Sequence, residues 1–251
     1  MISDGAVIAL GGTGSHRAPM ASVREIMRQG RRNLQVVATS ENPGLVLLAA
    51  AGCAASIDPA ASARLRAAAL GLAMLPLPRD VTLPAAAHMK SFTDPFTGEA
   101  AMAVAALIPD AAILHAHRAD AAGNIQIIPD SADAFADDLM LARAARAVIV
   151  TVEQIVSPET IASNPALTVL AAADVTCVVE APFGAHPFAL DNRYTADDAN
   201  RDACRRAATD PAALDAWLAD HVTGPADHWD YLDRIGARAL MAISLDRAAR
   251  A

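Results

Sequence analysis

The stretch AVIALGGTGSHRAPMASVREIMRQGRRNLQVV (Ala6–Val37) decides the fold. Ala6–Leu10 is a continuous apolar run that stops at Gly11-Gly12, the pattern of a buried strand. Pro19 follows the glycine turn and suits the first position of a helix. From there Met20, Val23, Ile26 and Met27 recur at helical spacing, with Arg24, Glu25 and Arg28 between them. Gly30 fits a helix C-terminus, and Leu34–Ala38 reads as a second buried strand. Apolar strands joined by helices predict a parallel sheet covered on both faces.

Outward from this stretch the pattern continues. Leu45–Ala51 reads as a helix stopped by Gly52. Residues 60–75 read as one helix or two short ones, and residues 76–98, with four prolines and a DPFTG turn, as irregular. Asp110–His115 predicts a third strand, and Asp120–Asn124 (DAAGN) a tight turn into a hairpin strand, Ile125–Ile128. A helix is expected over Ala132–Ala145, with Phe135, Leu139 and Ala142 inward, and strands over Ala147–Val152 and Thr176–Glu180. After Tyr194 only helices follow, roughly Ala196–Ala208, Pro211–His221, Ala226–Ile235 and Ala237–Ala248. The fold class is α/β: an open, mostly parallel sheet with helices on both faces, forming one domain over 1–251 with a helical tail from about 196.

Composition narrows the function. The chain has 251 residues, 54% of them hydrophobic, enough to bury a large core and exclude disorder as the main state. Its net charge of −8 argues against a nucleic-acid surface. Cys53, Cys177 and Cys204 are isolated and form no CxxC pair, which suits a reducing, cytoplasmic setting. The N-terminus lacks the basic start of a signal peptide, and no apolar run approaches the ~20 residues that cross a bilayer.

Few motifs carry chemistry. Gly11-Gly12-Thr13-Gly14, followed by His16 and Arg17, lies between a strand and a helix, where backbone N–H groups and a guanidinium suit an anion. The same residues also make a plain strand–helix turn. His115 and His117 fall on one face of a strand, yet two imidazoles without a third ligand imply no metal. His186, between Gly184 and Pro187, lines a cleft or caps the sheet edge. Glu41, in Ser40-Glu41-Asn42-Pro43-Gly44, follows the second strand at the end of the sheet where ligands of parallel sheets gather.

Four blocks in order resemble the alpha (A) chain of class I coenzyme A-transferases, glutaconate-type branch. They are Gly11–Val37, Asp94–Ile127, Val148–Val156 and Val178–Pro187. The resemblance implies a homologous B subunit, in a heterodimer or heterotetramer, whose glutamate attacks an acyl-CoA thioester. Coenzyme A then passes to a carboxylic acid through an acyl anhydride and an enzyme-bound thioester. It implies coenzyme A as substrate, with no permanent cofactor and no metal. Gly11, Gly12, Thr13, Gly14, His16 and Arg17 become one wall of the cleft, with His115, Arg118 and His186 as further lining groups. Glu41 becomes a candidate nucleophile, since B subunits carry theirs in a Ser-Glu-Asn-Gly-like motif; Pro43 departs from that motif.

Two other departures stand out. Thr13 replaces the family's usual aromatic residue, and Cys53–Ser62 bridges a gap where members carry a further strand, helix and strand. A related hydrolase branch, acting on ring-opened CoA thioesters, keeps its acidic catalytic residue in that piece, so its loss counts against hydrolysis. Three alternatives remain: one half of a CoA-thioester hydrolase or lyase, a shortened paralogue that scaffolds a partner, and a sugar-phosphate-binding relative.

Overall fold

The computed structural model describes residues 2–14, 16–56, 58, 61–78, 87–128 and 135–250. Its strands are β1 (Val7–Leu10), β2 (Leu34–Val37), β3 (Ala54–Ser56), β4 (Met74–Pro76), β5 (Met89–Thr93), β6 (Ala100–Ala105), β7 (Ala111–Asp120), β8 (Ile125–Gln126), β9 (Val148–Val156), β10 (Thr168–Leu170) and β11 (Cys177–Glu180). Its helices are α1 (Met20–Arg28), α2 (Pro43–Ala50), α3 (Ala61–Ala69), α4 (Ala136–Ala144), α5 (Pro158–Ala162), α6 (Asp198–Ala207), α7 (Pro211–Leu218), α8 (His228–Ile235) and α9 (Ala237–Arg250).

Six strands pair in parallel in the order β3-β2-β1-β7-β9-β11. The chain winds outward from β1 in one direction and from β7 in the other, so β1 and β7 flank a topological switch point. Ligands of open parallel sheets bind at the carboxyl ends of such strands. Leu10 pairs with Ile113, and β7 runs seven residues further. Beyond the end of β1, the vacated edge of β7 is taken by β8, antiparallel through Arg118 and Gln126, and β10 adds to β8. The Asp120 turn forms as expected: its Oδ1 accepts from the N–H groups of Ala122, Gly123 and Asn124.

The alternation of side chains sorts the core into two faces. Ile8, Leu10, Val36 and Ile113 pack on one side with Val23 and Ile26 of α1, Leu47 and Leu48 of α2, and Trp217 of α7. Ala9, Val37, Ala112, Leu114, Val150 and Val152 pack on the other with Leu65 of α3 and Leu141 of α4. Asn42 starts α2 by accepting from the Gly44 and Leu45 N–H groups, while its Nδ2 donates to Gly11 O at 2.8 Å.

Several expectations change. The 60–75 helix ends at Ala69, and Met74–Pro76 is a strand. Residues 76–98 are not wholly irregular: β5 joins β4 and β6 in a separate antiparallel sheet, order β4-β6-β5. The bridge after Gly52 contains β3, parallel to β2. The start of the expected Ala132–Ala145 helix lies partly outside the described residues; Ala142 is buried and Phe135 and Leu139 pack against the core as expected, and Leu141 and Asp138 are buried beside them. The tail helices follow expectation within two residues at most ends, except that α7 stops at Leu218 and gives way to a wider helical turn over 219–223. Among the described residues, no helix is long and apolar enough to cross a membrane.

Leu48 is fully buried beneath the switch-point strands. Leu48→Ala is expected to lower unfolding stability by about 2–5 kcal/mol, read from chemical denaturation.

Candidate functional site

The loop after β1 turns tightly enough that its glycines are required by the protein's own atoms. A Cβ on Gly11 would lie 2.5 Å from Asp138 Oδ1 and 2.5 Å from Leu114 Cδ2. Gly12 has φ of 84°, and a Cβ there would meet the Arg17 backbone at 2.6 Å. The N–H groups of the loop's described residues bond inside the fold. Gly11 donates to Ile113 O, Gly12 to Asp138 Oδ1, Thr13 to His16 O, Gly14 to Glu41 O, and Arg17 to Ala189 O.

Arg17 is 1% exposed and lies between two carboxylates that sequence reading missed. Its Nη2 is 3.3 Å from Asp138 Oδ2, and its Nη1 is 3.2 Å from Asp191 Oδ2. The carboxylates it meets are therefore the protein's own. Burial pushes the Asp138 carboxyl above its ordinary range, opposed by the Arg17 charge and the Gly12 N–H. Asp191 also holds His16, whose Nδ1 is 2.5 Å from Asp191 Oδ1 while its side chain stays half exposed.

His115 and His117 extend past β1 on one face of β7. His115 Nε2 is 2.8 Å from Glu153 Oε1, and its Nδ1 is 2.9 Å from Thr151 Oγ1. Glu153 also accepts from Tyr194 Oη at 2.9 Å and from the N–H groups of Phe183 and Gly184. Burial alone would raise the Glu153 pKa; the His115 contact and these donors outweigh it and hold it below the usual range. His117 Nδ1 accepts from the Ile128 N–H, so its Nε2–H donates to Asp191 O at 2.6 Å. Burial, reinforced by neighbouring positive groups, lowers its pKa to about 4.

The loop, His115 and His117 thus converge at the switch point. Arg118 does not join them; its Nε donates to Gln126 across β8. His186 lies apart, buried with Nδ1 2.6 Å from Tyr231 Oη and Nε2 3.3 Å from Asp197 Oδ2. Glu41 is exposed at the rim, and its backbone ties to Gly14. A cavity of about 500 Å³ opens beside them, lined by Gly14, Ser40, Glu41, Phe188 and Arg205 among others. Among the described residues, no group of three or more His, Cys, Asp or Glu is arranged to hold a metal.

A faint signal did mark the missed acids. Asp138 lies three residues before Leu141, on the same face of its helix, and Glu153 shares the strand parity of Thr151. Asp191 carries no such mark.

A family model described as Coenzyme A transferase matches residues 58–179. The alpha (A) chain of the 3-oxoadipate CoA-transferase of Pseudomonas knackmussii is 28% identical over 93% of this chain and 94% of its own. The cholesterol ring-cleaving hydrolase IpdA subunit of Rhodococcus jostii is 31% identical over 91% and 90%. The crystal structure of glutaconate coenzyme A-transferase from Acidaminococcus fermentans superposes with a TM-score of 0.83, at 26% identity over 96% of this chain and 91% of that one. Against an Archaeoglobus fulgidus relative, 30% identical, the chain spans 60% of the relative's length. The Pseudomonas alignment covers 274 positions, more than this chain's 251 residues, so that relative carries segments this chain lacks.

Two expectations follow from the site's charges. Asp138→Ala leaves Arg17 buried without one partner and the Gly12 N–H without an acceptor. It should cost about 3–5 kcal/mol in chemical denaturation. The second concerns pH. His117 and His228 both titrate at about 4 in the fold because of burial, against roughly 6.5 unfolded. Between those values only the unfolded chain takes the protons. Their contribution to stability is complete above roughly pH 6.5 and is lost as pH falls through about 4. Denaturation midpoints should fall across that window, and His117→Gln should flatten the slope by up to one proton's worth, about 1.4 kcal/mol per pH unit.

Proposed function

The chain belongs to the coenzyme A-transferase family as an A-type subunit, and from that premise we propose that it is half of a heteromeric CoA-transferase. A homologous B subunit supplies the nucleophilic glutamate, in a heterodimer or heterotetramer. Coenzyme A moves from an acyl thioester to a free carboxylate, entering as substrate.

The observation that carries this reading is the state of the buried acids at the switch point. Asp138 and Asp191 are held on Arg17, and Glu153 accepts from four donors. A carboxylate so engaged, with its pKa held down in the case of Glu153, is a poor nucleophile. The covalent step therefore calls for a carboxylate from outside this cluster. The glycine loop rim and the cavity beside it form a wall against which such a group and the thioester arm meet.

The nucleophile's place on the partner separates this reading from one that uses Glu41. With the complex reconstituted from this chain and a B-type chain, exchange is followed between acyl-CoA thioesters and free carboxylates. Glu41→Gln is expected to keep exchange within about threefold, and replacing the partner's strand-end glutamate to abolish it. Loss of exchange in Glu41→Gln instead makes Glu41 the nucleophile, and no exchange over a broad panel removes the transferase reading. The alternative of a CoA-thioester hydrolase draws support from the 31% identity to the Rhodococcus hydrolase chain; release of free thiol without an acceptor acid distinguishes it.

A further inference from the structure

We propose that the cavity between α1, α8 and the sheet is a second ligand site, outside the switch point, which takes a small organic carboxylate with an apolar body against the buried Arg24. The inference does not depend on the CoA-thioester reading; it rests on a cavity and a charge that this reading leaves unused.

Strand register builds the floor of the cavity. Ile113 pairs with Ile149, and Thr151 with Val179, so these side chains share one face of β7, β9 and β11. Residues of α1, of the helical turn over 219–223 and of α8 close in over this face and leave a cavity of about 440 Å³. Pockets for small organic molecules begin at roughly 300 Å³. Val179 and Trp229 line it and are exposed, so it opens to solvent.

Arg24 also lines the cavity and is 5% exposed. Its guanidinium carbon lies 3.7 Å from the centre of the Tyr231 ring. Nη1 donates to His186 O at 2.8 Å, and Nη2 faces His228 Nδ1 at 3.4 Å. That nitrogen accepts, because His228 Nε2–H donates to Pro182 O at 2.8 Å. Each of these partners is neutral. Burial lowers the His228 pKa to about 4 and pushes the Tyr231 hydroxyl up to about 12. Among the described residues, no carboxylate pairs with Arg24, and burial pushes its own pKa down. Arg17, buried as deeply, has two.

The acids that line the cavity are engaged elsewhere. Glu25 accepts from Arg28 and Gln29, Asp227 from the Asp230 N–H, and Glu180 from the Ile155 N–H. A buried cation without a counter-charge is costly. An anion that enters along apolar walls supplies the missing charge through charge-assisted hydrogen bonds. The walls set the rest of the ligand: Ile113, Ile149 and Val179 offer contacts to an apolar body and none to a second charge.

The test titrates the full chain with hexanoate, hexanol and acetate by calorimetry. Hexanoate is expected to bind about tenfold or more tightly than hexanol, which lacks the charge, and than acetate, which lacks the apolar body. Arg24→Gln should weaken hexanoate about tenfold or more and leave hexanol within about threefold. Arg24 is packed on Tyr231, so a second variant guards against a folding defect. Val179 is an exposed strand position that accepts an aromatic residue, and Val179→Trp, which fills the mouth, should weaken hexanoate and hexanol alike by about tenfold. Absence of hexanoate binding, equal affinity for hexanoate and hexanol, or full hexanoate binding in Val179→Trp each overturns the proposal. The last result places the acid elsewhere on the chain, and all three leave the CoA-transferase reading standing.

Discussion

The Arg17 guanidinium, buried between Asp138 and Asp191, is the constraint on which the switch point depends. Asp138 comes from α4 on one face of the sheet. Asp191 comes from the segment whose Phe188 packs in the core of the other face. Arg17 therefore ties the two layers together at the open end of the sheet. Three charges taken out of water cost several kcal/mol each, and the cost is offset only when every hydrogen-bonding position is used. The contacts run in that direction: Arg17 Nε and Nη2 donate to Asp138 and Nη1 to Asp191, Asp138 also accepts from the Gly12 N–H, and His16 meets Asp191.

This constraint explains the glycine loop better than a ligand does. Gly11 lacks a Cβ because Asp138 and Leu114 occupy the place one would take, and Gly12 because the loop returns onto itself at Arg17. Among the described residues its N–H groups are bonded inside the fold, so these glycines answer first to the protein's own packing. What it offers to solvent is its rim, where Thr13 and His16 are exposed and Glu41 adjoins through Gly14. A rigid rim beside a cavity, backed by acids already committed to internal partners, is what the proposed CoA-transferase reading asks of this chain.

The parallel core was legible because its signals are local. The continuous apolar runs, the period-3.6 pattern and the glycine stops of Ala6–Val37 fix strands and helices without knowledge of partners. The small β4-β6-β5 sheet was not. Its strands are mostly exposed, so burial imposes no clear alternation: β5 reads Met-Lys-Ser-Phe-Thr, and β6 is alanine-rich, Ala-Ala-Met-Ala-Val-Ala. The strand β3 escaped notice because three residues carry no period. The charged cluster was hidden for a different reason. Arg17 lies 121 positions from Asp138 and 174 from Asp191, and no local pattern records a contact across such a span. The glycines hinted that something would press close to the loop, without saying what.

The cluster also separates its histidines by role, and burial makes the division. His115 sits against a carboxylate that four donors saturate, inside a network closed by Tyr194, whose hydroxyl donates to Glu153 and accepts from the Ala185 N–H. Burial, and then the Glu153 charge, drives the Tyr194 pKa well above its ordinary value, so that hydroxyl stays a donor. Such a network fixes β7 and β9 against the 181–194 segment and gains nothing by exchanging protons. His16 leans on the same segment through Asp191, yet it remains half in solvent. Rigidity behind a ring and access in front of it are separate requirements. The fold supplies the first to His115, His117 and His16 alike; His115 and His117 are buried, and His16 is half exposed.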